Sequence, residues 1–475
     1  MRCLALAEAL GEAGWRVRFV VGNETVSTVP ALAASGFDVR VLHDTGHDLE
    51  ALREEASGRA GLLVVDHYQR DAVFEHACRT FAQKILVLDD ATGRNHDCDI
   101  LVDAAAKNAA VYADRVPASA RVLAGPAYAL MRRSFFAHRG AALTRRDGRP
   151  VKEILVSCGA TDPDNVTAAV LDALDDVVDE IAVTVVLSSR APHLDAVRKR
   201  LRGKARLLVD AEDMAELMTN ADLAIGAAGS TAYERAVLGL PSILVTVAEN
   251  QREIARLMAD VRAALDGGAV DRDLPLRLRQ RTVALLKDGT ARQKLAEAAC
   301  ALVDGRGAMR IALAMLDDEL AKNGARVRLH LASANDERWL LKIQRHPQTR
   351  RYFRNAAVPT AQEHHEWMRR VLADPKRLLL AVNANGKPVG SVRLDRLSDE
   401  SGLVRYEVSI AVDPECQSKG IGTAALRLVR ALMPGAVFDA LVLPDNKPSS
   451  ALFAGAGFAA VSGDVYRSNP HQALS

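Results

Sequence analysis

Aromatic residues make up only 4% of this 475-residue chain. Such scarcity argues against the stacking platforms that hold single-stranded nucleic acid. An excess of one charge is also missing. Lys and Arg number 62 against 60 Asp and Glu, a net of +2, and the basic residues are spread along the chain without forming an evident basic face. A nucleic-acid partner is not expected, although local phosphate recognition stays open. The six cysteines (Cys3, Cys78, Cys98, Cys158, Cys300 and Cys416) are far apart and form no CxxC pair, which argues against a zinc site or a disulfide framework and for reduced thiols. No apolar run reaches the roughly 18 residues of a membrane helix. The opening Met1-Arg2-Cys3-Leu4-Ala5-Leu6-Ala7-Glu8 meets charge too soon for a signal peptide. A cytoplasmic enzyme with no membrane partner is the resulting expectation. What remains is ordinary globular composition, 49% hydrophobic and 26% charged, in a chain long enough for two to four domains.

From residue 1 to about 320, helical periodicity alternates with short β-branched runs. These include RVRFVVG (16–22), GLLVVD (61–66), KILVLDD (84–90), EILVSCG (153–159), AVTVVLSS (182–189), ADLAIGAAG (221–229) and PSILVTVA (241–248). Runs without polar alternation are strands buried on both faces of parallel sheets, and with helices predicted at 164–179 and 191–202 the class is doubly wound α/β. The Arg-rich stretch His138 to Pro150 interrupts this pattern and predicts a linker between two lobes, 1–140 and 151–320. A second break at Lys322-Asn323-Gly324-Ala325-Arg326 precedes an α+β layout over 327–475. The chain opens on an amphipathic helix, Arg2 to Ala13, with no strand before it. The first strand of a doubly wound lobe is central, so either the natural chain begins upstream or this lobe is damaged, and neighbouring strand edges are expected to be unpaired.

The sharpest local signal is Val412-Asp413-Pro414-Glu415-Cys416-Gln417-Ser418-Lys419-Gly420-Ile421-Gly422-Thr423, in which a strand ends and Gln-x-x-Gly-x-Gly opens a helix over 423–432. Glycines let main-chain amides approach a ligand, and a helix N-terminus favours a pyrophosphate; a plain turn is the bland alternative. Leu443-Pro444-Asp445-Asn446, Ser449-Ser450-Ala451-Leu452-Phe453 and Ala456-Gly457-Phe458 follow. This arrangement resembles the GNAT acetyltransferase superfamily over 327–475. The resemblance implies that Gln417, Ser418, Lys419, Gly420, Ile421, Gly422 and Thr423 cradle acetyl-CoA, that Val412 pairs with its pantetheine arm, and that Asn446 contacts it. Many members place a proton-donating Tyr where this chain has Phe453, so the acid must come from elsewhere or from water. Glu407 and Tyr406, beside the cofactor strand, are either base and acid or a solvated, core-lining pair.

In the earlier half, Ile225-Gly226-Ala227-Ala228-Gly229-Ser230-Thr231-Ala232-Tyr233-Glu234-Arg235 again feeds a strand into a turn at a helix start, suited to a diphosphate. Glu234 is either a ribose acceptor or a surface carboxylate. Asn250 and Gln251, after a strand end, either read a sugar or cap a helix over 252–265. Together with Val65-Asp66-His67-Tyr68, Leu88-Asp89-Asp90, Arg94-Asn95-His96-Asp97-Cys98-Asp99, Ala124-Gly125-Pro126-Ala127-Tyr128-Ala129-Leu130 and Ser157-Cys158-Gly159-Ala160-Thr161-Asp162-Pro163-Asp164-Asn165, the run resembles the UDP-sugar hydrolases of pseudaminic acid biosynthesis. These relate to the UDP-GlcNAc transferase of murein synthesis and to the glycosyltransferase-B fold.

The resemblance covers residues 1 to about 260. It implies that Gly229, Ser230, Thr231 and Glu234 hold UDP, that Thr161 and Asn165 stand near the diphosphate, and that Tyr68 and Asn250 face the sugar. The family removes UDP from 2,4-diacetamido-2,4,6-trideoxy-β-L-altropyranose by attack of water at the anomeric carbon. The chain departs from the family in two places. It opens just before the Arg-Cys of Gly-x-Gly-His-x-x-Arg-Cys, so the family's His has no counterpart, and His43, His47 and His67 carry no motif; the family's Asp-Gln-Asn is Asp103-Ala104-Ala105. His96 and Cys98 read as structural residues, and no metal is expected.

Jointly, the two resemblances imply acetyl-CoA-dependent N-acetylation of a UDP-4-amino-4,6-dideoxy sugar followed by release of UDP. A UDP-sugar glycosyltransferase, a UDP-sugar-binding scaffold serving the acetyltransferase, and a protein acetyltransferase are the competing readings.

Overall fold

The computed structural model describes residues 1–42, 48–177, 179–397 and 403–470; His43 and His47 lie outside them. By compactness the chain divides into two units, Met1–Leu6 with Asp44–Ala308 and Ala7–His43 with Met309–Ser475.

The first unit contains two parallel sheets. Strands β3 (Ala60–Val65), β4 (Ala82–Leu88), β5 (Ile100–Asp103) and β6 (Arg121–Ala124) pair in sequence order, so each crossover steps the same way. The second sheet has the order β12-β11-β10-β7-β8-β9, where β7 is Glu153–Ser157, β8 Ala182–Leu187, β9 Ala205–Val209, β10 Leu223–Ala227, β11 Ser242–Thr246 and β12 Leu265–Ala269. The chain winds outward from β7 through β8 and β9, then returns to β10 and winds the other way. The topological switch point therefore lies between β7 and β10, where open α/β sheets leave a crevice at the strand C-termini. The β-branched runs of β7, β8, β10 and β11 are buried on both faces, beneath two separate apolar clusters.

Strands β1 (Arg18–Gly22) and β2 (Asp38–Leu42) pair only with each other, and β3 is left as an edge of its sheet among the described residues. The helix Arg2–Glu12 precedes β1 as the amphipathic pattern predicts. Over the stretch 1–140 the strands form two sheets that share no ladder among the described residues. A doubly wound sheet is continuous only through its central strand, and no strand among the described residues occupies that place.

The Arg-rich stretch 138–150, expected as a linker, lies in its first half in the helix Arg133–Leu143; Arg139 and Arg146 turn inward, while Arg149 stays exposed on Asp147. Arg139 donates to the carbonyls of Val237, Cys300 and Val303, and Arg146 to those of Met218, Ala221 and Leu238. These carbonyls lie at helix C-termini, which lack intrahelical partners and carry the negative end of the dipole. Burial pulls the Arg146 guanidinium down to about 10. Three helices are also shorter than predicted, at Val166–Ala173, Leu194–Arg200 and Arg252–Asp260. The last leaves room for β12, whose Leu-Asp-Gly-Gly-Ala carries no strand signal.

The second unit contains an eight-stranded sheet of order β13-β14-β15-β16-β17-β18-β20-β19. The strands are β13 (Glu319–Leu320), β14 (Arg326–Leu331), β15 (Arg377–Ala384), β16 (Lys387–Leu397), β17 (Arg405–Val412), β18 (Val437–Leu441), β19 (Ala459–Ser462) and β20 (Val465–Ser468). The presumed break at 322–326 is the turn between β13 and β14 and so belongs to this sheet. Neighbours pair antiparallel except β17 and β18, which are parallel and joined through the helix Ile421–Leu432. No helix among the described residues is long and apolar enough to cross a membrane.

Candidate active sites

In the second unit β17 and β18 pair only over Arg405–Glu407 and Val437–Asp439, after which the ladder ends while β17 runs on to Val412. The main chain of 408–412 on that side is open to an added extended chain. Beyond Val412, Ser418 (φ +59°) and Gly420 (φ +83°) bend the chain into the helix Ile421–Leu432. The amides from Ser418 to Thr423 donate to no protein group among the described residues, which leaves a run of N–H donors at a helix N-terminus.

The turn is held from outside. Lys419 Nζ donates to the Glu415 carbonyl (2.7 Å), Gln417 Nε2 to that of Val412 (3.2 Å), and the Asn323 amide to that of Lys419 (3.3 Å). A Cβ at Gly420 would stand 2.5 Å from the Lys322 nitrogen, and one at Gly422 2.9 Å from Leu452. Gly420 is therefore required by packing as well as by conformation, whereas a side chain at Gly422 would have to displace the end of Leu452.

Asn446 is buried and caps the helix Lys447–Gly455 by accepting from the Ser449 amide at 3.2 Å. Its carbonyl is therefore committed to the helix. Phe453 is also buried, its ring packed against those of Phe458 and Tyr466.

Glu407 and Tyr406 lie on opposite faces of β17. Val412 packs against Gly422, so alternation along β17 turns Tyr406 toward the helix Ile421–Leu432 and Glu407 to the opposite face. Tyr406 stacks on Phe438 with centroids 6.0 Å apart, whereas Glu407 accepts from the exposed Arg354 at 2.8 Å, at the point where β17 and β18 part. Glu407 thus stands at the divergence, with Tyr406 on the other face of the strand.

In the first unit the switch point collects the predicted nucleotide residues from two loops. After β10, the amides of Gly229, Ser230 and Thr231 donate to no protein group among the described residues. Glu234 lies one turn into the following helix, its carboxyl raised by burial and lowered in part by Arg235 and Arg132. After β7, Asp162 (φ +42°) caps the helix Val166–Ala173 through the amides of Val166 (2.9 Å) and Thr167 (2.8 Å). That helix end is therefore already occupied by a carboxylate. Asn165, in the left-handed region, has a buried Oδ1 without a hydrogen-bond partner among the described residues, and Thr161 is exposed on the same loop.

Gln251 folds back: its Oε1 accepts from the Val247 amide (3.2 Å), and its Nε2 would lie 3.5 Å from a Cβ at Gly229. Composition gave no warning of Arg235. It is fully buried, donates to the Ala227 carbonyl (2.6 Å) and lies under Gly226, where a Cβ would come within 2.3 Å of the Ser157 carbonyl. Burial lowers its guanidinium to about 10.

Opposite, the ends of β3 and β4 carry a charged cluster. Arg2 binds Asp66 (2.7 Å) and Asp90 (3.3 Å), Cys3 donates to Asp66 (3.3 Å), and the Tyr68 hydroxyl donates to Asp90 (3.1 Å) and also meets the Asn250 side chain. Burial and Asp90 raise the Tyr68 phenol.

Behind it, Arg94 donates to the carbonyls of His67 (2.9 Å) and Tyr68 (3.0 Å) and pairs with Asp89. Asp89 also accepts from Tyr112 (3.0 Å) and faces His96 Nε2, whose Nδ1 meets Glu75 at 2.8 Å. Burial opposes these charges, but the pairings outweigh it, raising His96 to about 9 and lowering Asp89 to about 2. Both His96 nitrogens thus face carboxylates. Asp103 folds onto the amides of Ala105 and Ala106, and the Ala104 carbonyl accepts from Tyr233 at 2.8 Å.

Comparison with known proteins agrees with this division. Residues 344–458 match the acetyltransferase (GNAT) family and residues 153–307 the glycosyltransferase family 28 C-terminal domain. The spore coat polysaccharide biosynthesis protein SpsG of Bacillus subtilis is 30% identical over 277 residues, 56% of this chain and 79% of that protein. The UDP-2,4-diacetamido-2,4,6-trideoxy-beta-L-altropyranose hydrolase of Campylobacter jejuni is 29% identical over 204 residues, 42% of this chain and 70% of the hydrolase. Among solved structures, MurG of Acinetobacter baumannii aligns with a TM-score of 0.48 at 15% identity, covering 65% of this chain and 93% of MurG. The chain belongs to the glycosyltransferase-B-like family that includes SpsG and the altropyranose hydrolase, and it carries a GNAT acetyltransferase domain behind that module.

Proposed function

We propose that the chain N-acetylates the 4-amino group of a UDP-4-amino-4,6-dideoxy sugar with acetyl-CoA, and that the first unit binds the UDP-2,4-diacetamido-2,4,6-trideoxy product and releases UDP by attack of water at the anomeric carbon. The observation that carries the acetyl-transfer half is the run of unpaired amides from Ser418 to Thr423, beside the parting of β17 from β18. The amides take the pyrophosphate of acetyl-CoA and the open edge of β17 takes its pantetheine arm. Glu407 accepts the proton lost by the amine as its nitrogen attacks the thioester carbon. The new C–N bond forms, the C–S bond breaks, and the coenzyme A thiolate leaves to take a proton from solvent.

For UDP release, Gly229, Ser230 and Thr231 hold the diphosphate, Glu234 the ribose, and Tyr68 with Asn250 the sugar. The product of the second unit is the substrate of the first, which gives the fusion a chemical rationale.

The experiment is to incubate the chain with acetyl-CoA and the UDP-4-amino sugar, following thiol release and free UDP separately. Thiol release followed by free UDP is expected, and Glu407→Gln should lower the first rate by about 10²-fold while sparing UDP release from a pre-acetylated substrate. Absence of thiol release would defeat the acetyl-transfer half.

A second reading has a specific observation behind it. Asp90, which accepts from Tyr68, and Asp66 are both paired with Arg2, which favours a first unit that serves as a UDP-sugar-binding scaffold. Acetylation without any UDP release would select that reading, and UDP release only with an added sugar acceptor would select a glycosyltransferase.

A further inference from the structure

Along the face of the second unit's sheet that carries Glu407, five charged residues are direct cross-strand partners: Arg377 with Asp395, Asp395 with Glu407, Glu407 with Asp439, and Asp439 with Arg467. Cross-strand partners share a face, so the row runs unbroken over β15, β16, β17, β18 and β20. Further guanidiniums reach it from beside the line. Arg405 Nε donates to Asp439 (2.6 Å), Arg393 to Asp395 (2.9 Å) and Arg354 to Glu407 (2.8 Å). Asp439 also accepts from Arg467 Nε at 2.7 Å.

A lone row of carboxylates would attract a cationic amine. Here each acid of the row is covered by at least one guanidinium, Asp395 and Asp439 by two apiece; Arg377 also pairs with Asp374 at 3.2 Å, so five arginines meet four acids. A carboxylate shared by two guanidiniums fixes both planar forks. Asp439 is itself buried, which strengthens that hold. The row is centred on Glu407, where the two strands part and the reacting nitrogen would arrive.

We propose that this arginine-dominated row is the acceptor-binding surface of the acetyltransferase unit, and that it selects an amine carrying a phosphate ester, such as a nucleoside-diphosphate amino sugar, over a neutral amino sugar or a polyamine. The inference rests on the acetyl-transfer reading above and adds how the acceptor is chosen. The carboxylates position the guanidiniums, the guanidiniums hold the diphosphate oxygens, and Glu407 is left within the row to meet the amine.

The test compares three acceptors on the full chain at saturating acetyl-CoA: the UDP-4-amino-4,6-dideoxy sugar, the same amino sugar without UDP, and spermidine. The UDP-linked acceptor should give a kcat/KM at least about tenfold above the other two, and its KM should rise steeply with added salt while that of the free sugar stays flat. Arg405→Gln should raise the KM for the UDP-linked acceptor about tenfold with kcat and the KM for acetyl-CoA little changed, and Arg405→Lys should recover part of the loss. Salt dependence of the unaltered chain carries the test if the variant fails to fold. Equal KM values for free and UDP-linked sugars, or a preference for spermidine, would overturn the inference while leaving acetyl transfer standing; acetylation of none of the three would remove both.

Discussion

His96 shows how a residue that looks like a metal ligand in sequence acquires another role from its surroundings. Its ring is buried between Glu75 and Asp89, with Arg94 and Tyr112 on the far side of Asp89. The folded-state value of about 9 lies above the ordinary value of 6.5. Its contribution to stability is therefore complete below about pH 6.5 and lost as pH rises through 9. Chemical denaturation of the first unit should show stability falling by about 1–3 kcal/mol between these limits. His96→Gln should flatten that slope, and an unchanged slope would show that another group titrates. Gly226 makes a second residue-scale case. Gly226→Ala forces a methyl against the Ser157 carbonyl and Arg235, and should cost about 1–3 kcal/mol in thermal or denaturant unfolding.

At the scale of elements, what could be read from sequence depended on whether an element's own pattern determined its fate. Strands β7, β8, β10 and β11 were legible because burial on both faces demands unbroken β-branched runs. The glycine turn after β17 was legible because positive φ and close packing demand glycine at Gly420. The helix Arg133–Leu143 was not, because polar arginines resemble solvated ones until a neighbouring lobe presents helix-end carbonyls to them. The charged row was hidden too, since its residues lie on five strands separated by up to ninety positions and meet only through register. That Tyr406 and Glu407 face opposite ways follows from strand alternation alone. The turn after β17 yields its own prediction. Gly420→Ala, strained at φ +83° and pressed on Lys322, should weaken acetyl-CoA binding by at least about tenfold in equilibrium titration while UDP binding stays intact. Equal loss of both ligands would point to general unfolding instead.

For the whole molecule, two units each present a run of unpaired amides at a strand-to-helix turn, one suited to coenzyme A and one to a uridine nucleotide. Their division of labour matches the two families found along the chain. The most direct measurement is calorimetric titration of the full chain with acetyl-CoA and with UDP, each in the absence and presence of the other. Saturable binding of both, with acetyl-CoA binding lost in Gly420→Ala and kept in Ser230→Trp, is the expected result. No saturable heat from either ligand, or mutual exclusion of the two, would contradict it.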